Sequence, residues 1–135
     1  MTIVFTKGKV IFVDVLKYIE ENILVFDGAM GTILQKKGLK LGENPEILNI
    51  ENRGIILDIH KEYIKSGANV ITTNTFGSNE LKLKRTNYSV EDIIYAGVDI
   101  AKEATKGTDT LIALDIGPIG ELLAPMGTLK FERAV

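Results

Sequence analysis

Between Ile23 and Thr32 the chain reads ILVFDGAMGT, and this stretch restricts the fold more than any other. An apolar run rich in branched residues breaks at Asp27-Gly28, continues through Ala29 and Met30, and reaches Gly31-Thr32. It reads as a buried strand that delivers a carboxylate to its C-terminal end, followed by a glycine-flexed turn whose backbone N–H groups can approach something small. The same grammar recurs in VITTNTFG (Val70 to Gly77) and in LIALDIGPIG (Leu111 to Gly120). Three strand-like runs, each ending in a polar residue and a glycine and separated by helical stretches, predict parallel strands whose tips share one rim.

The connecting segments read as helices. Asp14 is placed to cap a short one in which Val15, Leu16 and Ile19 share a face, and TILQKKG after Gly31 is a brief one closed by Gly38. Beyond a polar passage through Gly42, Asn44 and Pro45, Asn52 is a good N-cap for a long helix with Ile55, Ile56, Ile59 and Tyr63 at helical spacing and Gly67 at its end. Ser78 to Arg85 is short and helical, with Leu81 paired to Arg85. Ser89 with Asp92 approximates a capping box for a second long helix that buries Ile93, Ile94, Val98 and Ala101 and stops at Gly107. The strand at Leu111 to Leu114 shows no alternation and is expected to be buried on both faces. A Gly/Pro-rich loop runs from Gly117 to Gly127, and TLKFERAV begins like a helix at Thr128. Residues 1–13 fit either a short strand or a loose arm and stay unassigned. No linker divides the chain, so it reads as one unit or part of one.

Composition narrows the function. A chain of 135 residues is of single-domain size, long enough to bury about two thirds of what it exposes unfolded. Sixteen basic against 18 acidic residues leave a net charge of −2, which gives no pull toward nucleic acid or anionic membrane. The run Lys82 to Arg85 has no interleaved aromatics and reads as a solvated helix face. The absence of cysteine excludes disulfides and thiolate metal sites within the chain, and a single histidine excludes a nitrogen-rich one. That residue, His60, falls mid-helix beside Ile59 and is expected to be structural or solvent-facing. Lys7, Lys9 and Asp14 interrupt the N-terminal apolar runs, which are too short and charged for a signal-peptide core or a membrane span, so a cytoplasmic address is expected.

Each candidate site residue has a plainer reading beside it. Asp27-Gly28 is also a strong hairpin dipeptide, although the residues after it do not read as a partnering strand. A phosphate-cradling loop is the rival for Gly28 to Gly31, but G-x-x-G lacks both the third Rossmann glycine and the Walker lysine. Asn74, Thr75, Phe76 and Gly77 sit where a strand opens into its loop. There they either meet ligand or satisfy nearby backbone, with Phe76 more often a core residue. Asp115, with Gly117, Pro118 and Gly120, has the same placement, facing ligand or accepting from its own turn. Gly120 to Pro125 would then form part of the rim.

Taken in order, DGAMGT at Asp27 to Thr32, PEILNI at Pro45 to Ile50, IHKEYIKSGANVITTNTFG at Ile59 to Gly77 and DIGPIGELLAPMGT at Asp115 to Thr128 closely resemble the homocysteine S-methyltransferase domain of cobalamin-dependent methionine synthase and betaine-homocysteine methyltransferase. The likeness covers nearly everything beyond Asp14. It implies an α/β fold, a parallel-stranded partial (β/α)8 TIM barrel made of the first three βα units, since a whole barrel takes eight strands and about 250 residues. It implies that homocysteine binds at the C-terminal face of the strands, with Asp27 near its amine and the N–H groups of Gly28, Ala29, Met30 and Gly31 near its carboxylate. Thr32, Asn74, Thr75, Phe76, Asp115 and Gly117 complete the implied pocket. In the family, three cysteines on later strands hold zinc, which binds the homocysteine thiol as thiolate; a free thiol with pKa of about 8.5 is mostly protonated at neutral pH. No cofactor is expected in this chain itself; zinc, and in some members cobalamin and methyltetrahydrofolate, belong to the full-length enzyme. The chain is therefore expected to be the N-terminal part of such an enzyme, inactive alone, partnered by the rest of the barrel or by further copies of itself. Two other classes stay open: a structural, self-associating α/β piece, and an unrelated module with a small-anion site at Gly28.

Overall fold

The computed structural model describes residues 2–6, 9–13 and 15–134, with side chains from Val15 onward. The stretch left unassigned by sequence is a hairpin: β1 (Thr2–Thr6) pairs antiparallel with β2 (Lys9–Val13), in register from Thr2↔Val13 to Thr6↔Lys9. Asp14, the expected cap of the next helix, lies outside the described residues. That helix, α1 (Val15–Glu21), buries none of its residues; Leu16 is 73% exposed, so the expected apolar face finds no cover among the described residues.

The chain then extends through residues 23–27 and docks against β3 (Val70–Thr72) through a parallel bridge, Phe26↔Val70. Val25 O accepts from Asn69 N (2.8 Å) and Val70 N (3.1 Å), and Asp27 N donates to Val70 O (2.9 Å). β3 in turn pairs parallel with β4 (Leu111–Ala113). The predicted parallel order is therefore present, but the expected burial of the first strand is not: Ile23 is 86% exposed and Phe26 52%. A sheet margin with a neighbour on only one side keeps half of its apolar run in water. β4, expected to be buried on both faces, is only half-buried for the same reason.

Between the strands lie α2 (Met30–Lys36), a 3-10 turn at Pro45–Ile47, α3 (Leu48–Glu51) and α4 (Arg53–Lys65). Then come α5 (Glu80–Leu83), α6 (Val90–Ala104) and α7 (Phe131–Ala134). Helices α4 and α6 pack on each other and on one face of the sheet. Leu34, Ile56, Ile59 and Ile100 form one buried cluster, and Ile71, Ala101 and Ala104 form a second. Each fully buried branched side chain is worth about 1.5–3 kcal/mol.

Local chemistry sets the helix ends. Gly38, Gly67 and Gly107 adopt φ of +110°, +100° and +82°, where a side chain would be strained, and each comes just after a helix as expected. Ser89 Oγ accepts from Asp92 N at 3.0 Å and Asp92 Oδ2 accepts from Ser89 N at 3.4 Å, a reciprocal capping box. Asn52 does occupy the N-cap position of α4, but its side chain makes no capping bond. Asn79 does make one, accepting from Lys82 N at 3.0 Å, and α5 buries Leu83. Among the described residues no helix is long and apolar enough to cross a membrane.

Candidate functional site

Asp27, Thr72 to Thr75 and Asp115 all stand at the same end of the parallel segments. Asp27 leaves its strand with both carboxylate oxygens held by one neighbour: Oδ2 accepts from Thr72 N and Oδ1 from Thr72 Oγ1, each at 3.0 Å. Burial raises the Asp27 pKa above the usual carboxylate range; the Thr72 hydrogen bonds oppose this, and the negative charge of Asp115 adds to it. A carboxylate whose charge is disfavoured by a neighbouring negative charge is a place where a cation is welcome.

The backbone after Asp27 is tighter than a glycine-flexed turn. Helix α2 already starts at Met30, so Met30, Gly31 and Thr32 form its first turn and Ala29 is an N-cap without a capping side chain. The N–H groups of such a turn lack intrahelical acceptors. Gly28 lets the backbone pass close to α4, because a Cβ there would lie 2.8 Å from the Tyr63 hydroxyl and push the ring aside. Tyr63 reaches over from α4, donates to Ala29 O at 3.5 Å, and has its phenol pKa raised by burial, then by the charges of Asp27 and Glu62.

Two threonines of the β3 tip hold the β4 tip. Thr75 Oγ1 donates to Asp115 O at 2.7 Å, Asp115 N donates to Thr73 Oγ1 at 3.1 Å, and the two hydroxyl oxygens are 2.6 Å apart. One proton arrangement satisfies the ring: Thr73 donates to Thr75. Asn74 is buried and turned toward the preceding helices, its Nδ2 donating to Pro45 O (2.8 Å) and Asn49 Oδ1 (3.0 Å). Phe76 is half-exposed rather than core, with Lys82 Nζ 5.3 Å from its ring centre. Its carbonyl accepts from Gly117 N at 3.1 Å, and a Cβ on Gly117 would overlap that oxygen, so only glycine permits the approach of the two loops. Beside these residues lies a cleft of about 210 Å³ bordered by Thr75, Phe76, Asp115 and Gly117.

The structure thus places Asp27 and Asp115 at the same end of the parallel segments, ties Thr75 to Asp115 and Gly117 to Phe76 by hydrogen bonds, and turns Asn74 into the framework. Three contributors escaped sequence reasoning. Thr72 and Tyr63 read as ordinary strand and core-helix positions; only the parallel register reveals that Thr72 reaches Asp27. Glu46 is 4% exposed and its Oε1 accepts from Gly77 N at 2.6 Å, tying the loop after β3 to the 3-10 turn. A carboxylate inside PEILNI, where only Asn49 is otherwise polar, was the available signal. Among the described residues no group of three His, Cys, Asp or Glu side chains is placed to hold a metal ion.

Comparison with known proteins adds a family. The model of the family described as homocysteine S-methyltransferase matches residues 24–135. The chain is 34% identical over 97 residues to methionine synthase of Mycobacterium tuberculosis, covering 66% of this chain and 8% of that protein. It is 32% identical over 99 residues to betaine–homocysteine S-methyltransferase 1 of Xenopus tropicalis, covering 68% and 25%. In structure it is similar to the homocysteine methyltransferase MmuM from Escherichia coli in its oxidized form, with TM-score 0.66, 23% identity, and coverage of 76% of this chain and 40% of that one. This chain thus spans a minor part of each of these proteins.

Proposed function

The chain belongs to the homocysteine S-methyltransferase family, and from that premise we propose that it forms part of the floor of a homocysteine pocket within a larger (β/α)8 barrel. The observation that carries this reading is the convergence of Asp27 and Asp115 at the shared end of parallel segments. Homocysteine is an amino acid with a cationic amine, an anionic carboxylate and a thiol. An ammonium beside Asp27 would offset the repulsion from Asp115 and bring Asp27 back toward its charged form. The N–H groups of Met30 to Thr32, which open α2 without intrahelical acceptors, suit the substrate carboxylate, leaving the thiol to point toward the open side of the sheet.

Methyl transfer to that thiol calls for its thiolate, which bound zinc supplies in this family. The residues here do not fit zinc: the sequence has no cysteine, its one histidine is fully buried in α4, and among the described residues no three His, Cys, Asp or Glu side chains converge. In our proposal the zinc cysteines, and with them the methyl-donor site, belong to the remaining barrel, and these residues alone bind and orient without turning over. The exposed Ile23 and Phe26 at one sheet margin and Leu114 and Ile116 at the other support a companion reading in which these margins are covered by the rest of the barrel or by another copy.

Isothermal titration of the zinc-loaded gene product that carries these residues tests the proposal. Homocysteine should bind, and Asp27→Asn should weaken it by tenfold or more. A loaded wild-type protein that takes up no homocysteine ends the idea.

A further inference from the structure

We propose that Thr72 is a positioning residue of this pocket, gripping both oxygens of Asp27 so that the carboxylate faces the substrate amine in one fixed orientation; this rests on the homocysteine reading above. The backbone ladder is the first reason. Val70 N donates to Val25 O and Asp27 N to Val70 O, and a parallel ladder continued by two residues would carry Thr72 N to the Asp27 backbone carbonyl. Thr72 N instead donates to the Asp27 side chain, Oδ2, at 3.0 Å. The carboxylate has taken the place of its own carbonyl. Pairing stops there, and the backbone at Gly28 is released to pass under Tyr63.

The hydroxyl adds what the N–H lacks. A carboxylate held through one oxygen can still swing about its last torsion, whereas a second donor on the other oxygen, Thr72 Oγ1 at 3.0 Å, fixes its plane. Each oxygen keeps a further lone pair for a ligand N–H. The fixed plane matters because Asp115 repels Asp27, and an untethered carboxylate relieves such repulsion by rotating away or taking up a proton. Neither outcome serves the substrate's cationic amine.

Thr72→Val removes the hydroxyl at nearly constant shape and leaves the backbone N–H, and Thr72→Ser restores the hydroxyl. Two readouts on the gene product separate positioning from mere packing: homocysteine affinity by calorimetry, and the titration midpoint of the Asp27 carboxyl carbon by NMR. Thr72→Val should weaken homocysteine about tenfold and raise the Asp27 midpoint, while Thr72→Ser stays close to wild type in both. An Asp27 midpoint that does not move in Thr72→Val overturns the proposal, whatever the affinity does. A wild type that binds no homocysteine defeats the pocket reading instead, and the midpoint still decides the role of Thr72. Thr72→Ala provides the same comparison should the valine variant not fold.

Discussion

His60 has no exposed surface, and among the described residues neither ring nitrogen has a hydrogen-bond partner. Burial lowers its pKa from 6.5 to about 4, so the folded protein holds it neutral. Between those values the unfolded chain binds a proton that the folded one refuses. Stability from this source is fully present above pH 6.5 and is lost as pH falls toward 4, by roughly 2–3 kcal/mol at pH 4.5. Urea denaturation at pH 7.5 and 4.5 should show that loss in the wild type, and His60→Leu should remove most of it. Asp27 has the opposite sign: its raised pKa means that acid favours the fold slightly while discharging the carboxylate. Homocysteine affinity should therefore start to fall at a higher pH than an ordinary aspartate would dictate, which calorimetry across pH 4 to 7 would reveal. At Gly117 the effect is steric. Gly117→Ala would drive a methyl group into the Phe76 carbonyl, and chemical denaturation should register a loss of about 1–3 kcal/mol.

The helices carry the part of the fold most legible in the sequence, because their signals are local. Ser89 and Asp92 cap α6 as their spacing predicts, and Ser89→Ala should cost about 1 kcal/mol in a denaturant titration. The ends at Gly38, Gly67 and Gly107 were legible for the same reason. Signals that depend on a partner in space were not. Asn52 has the right identity and position for a cap, yet its side chain is not used, and Asn79 performs that role at α5. The apolar runs at Ile23 and Leu111 announce strands but not how much of each is covered, since cover comes from neighbours that the run itself does not encode. In the site, the carboxylates at 27 and 115 were legible as strand endings. The hydroxyl that aims one of them was not, because it takes a register to put Thr72 beside Asp27.

Taken whole, the molecule is well packed on its helical side and unfinished at the sheet margins. Ile23 and Phe26 stay in water at one margin and Leu114 and Ile116 at the other, apolar surface of the kind that invites a partner. The chain also spans 40% of the methyltransferase structure it resembles. In the absence of other covering segments, these 135 residues should associate as concentration rises. Light scattering should show mass growing with concentration, and Phe26→Ser with Ile116→Ser should reduce it; a stable monomer throughout would contradict the companion reading. The central claim, that the strand tips form the floor of an amino-acid thiol pocket, is tested most directly by a crystal structure of the zinc-loaded gene product with L-homocysteine bound. The substrate amine should then lie about 3 Å from an Asp27 oxygen, with the substrate carboxylate on the N–H groups that open α2. Homocysteine seated away from Asp27 and Asp115 would contradict it.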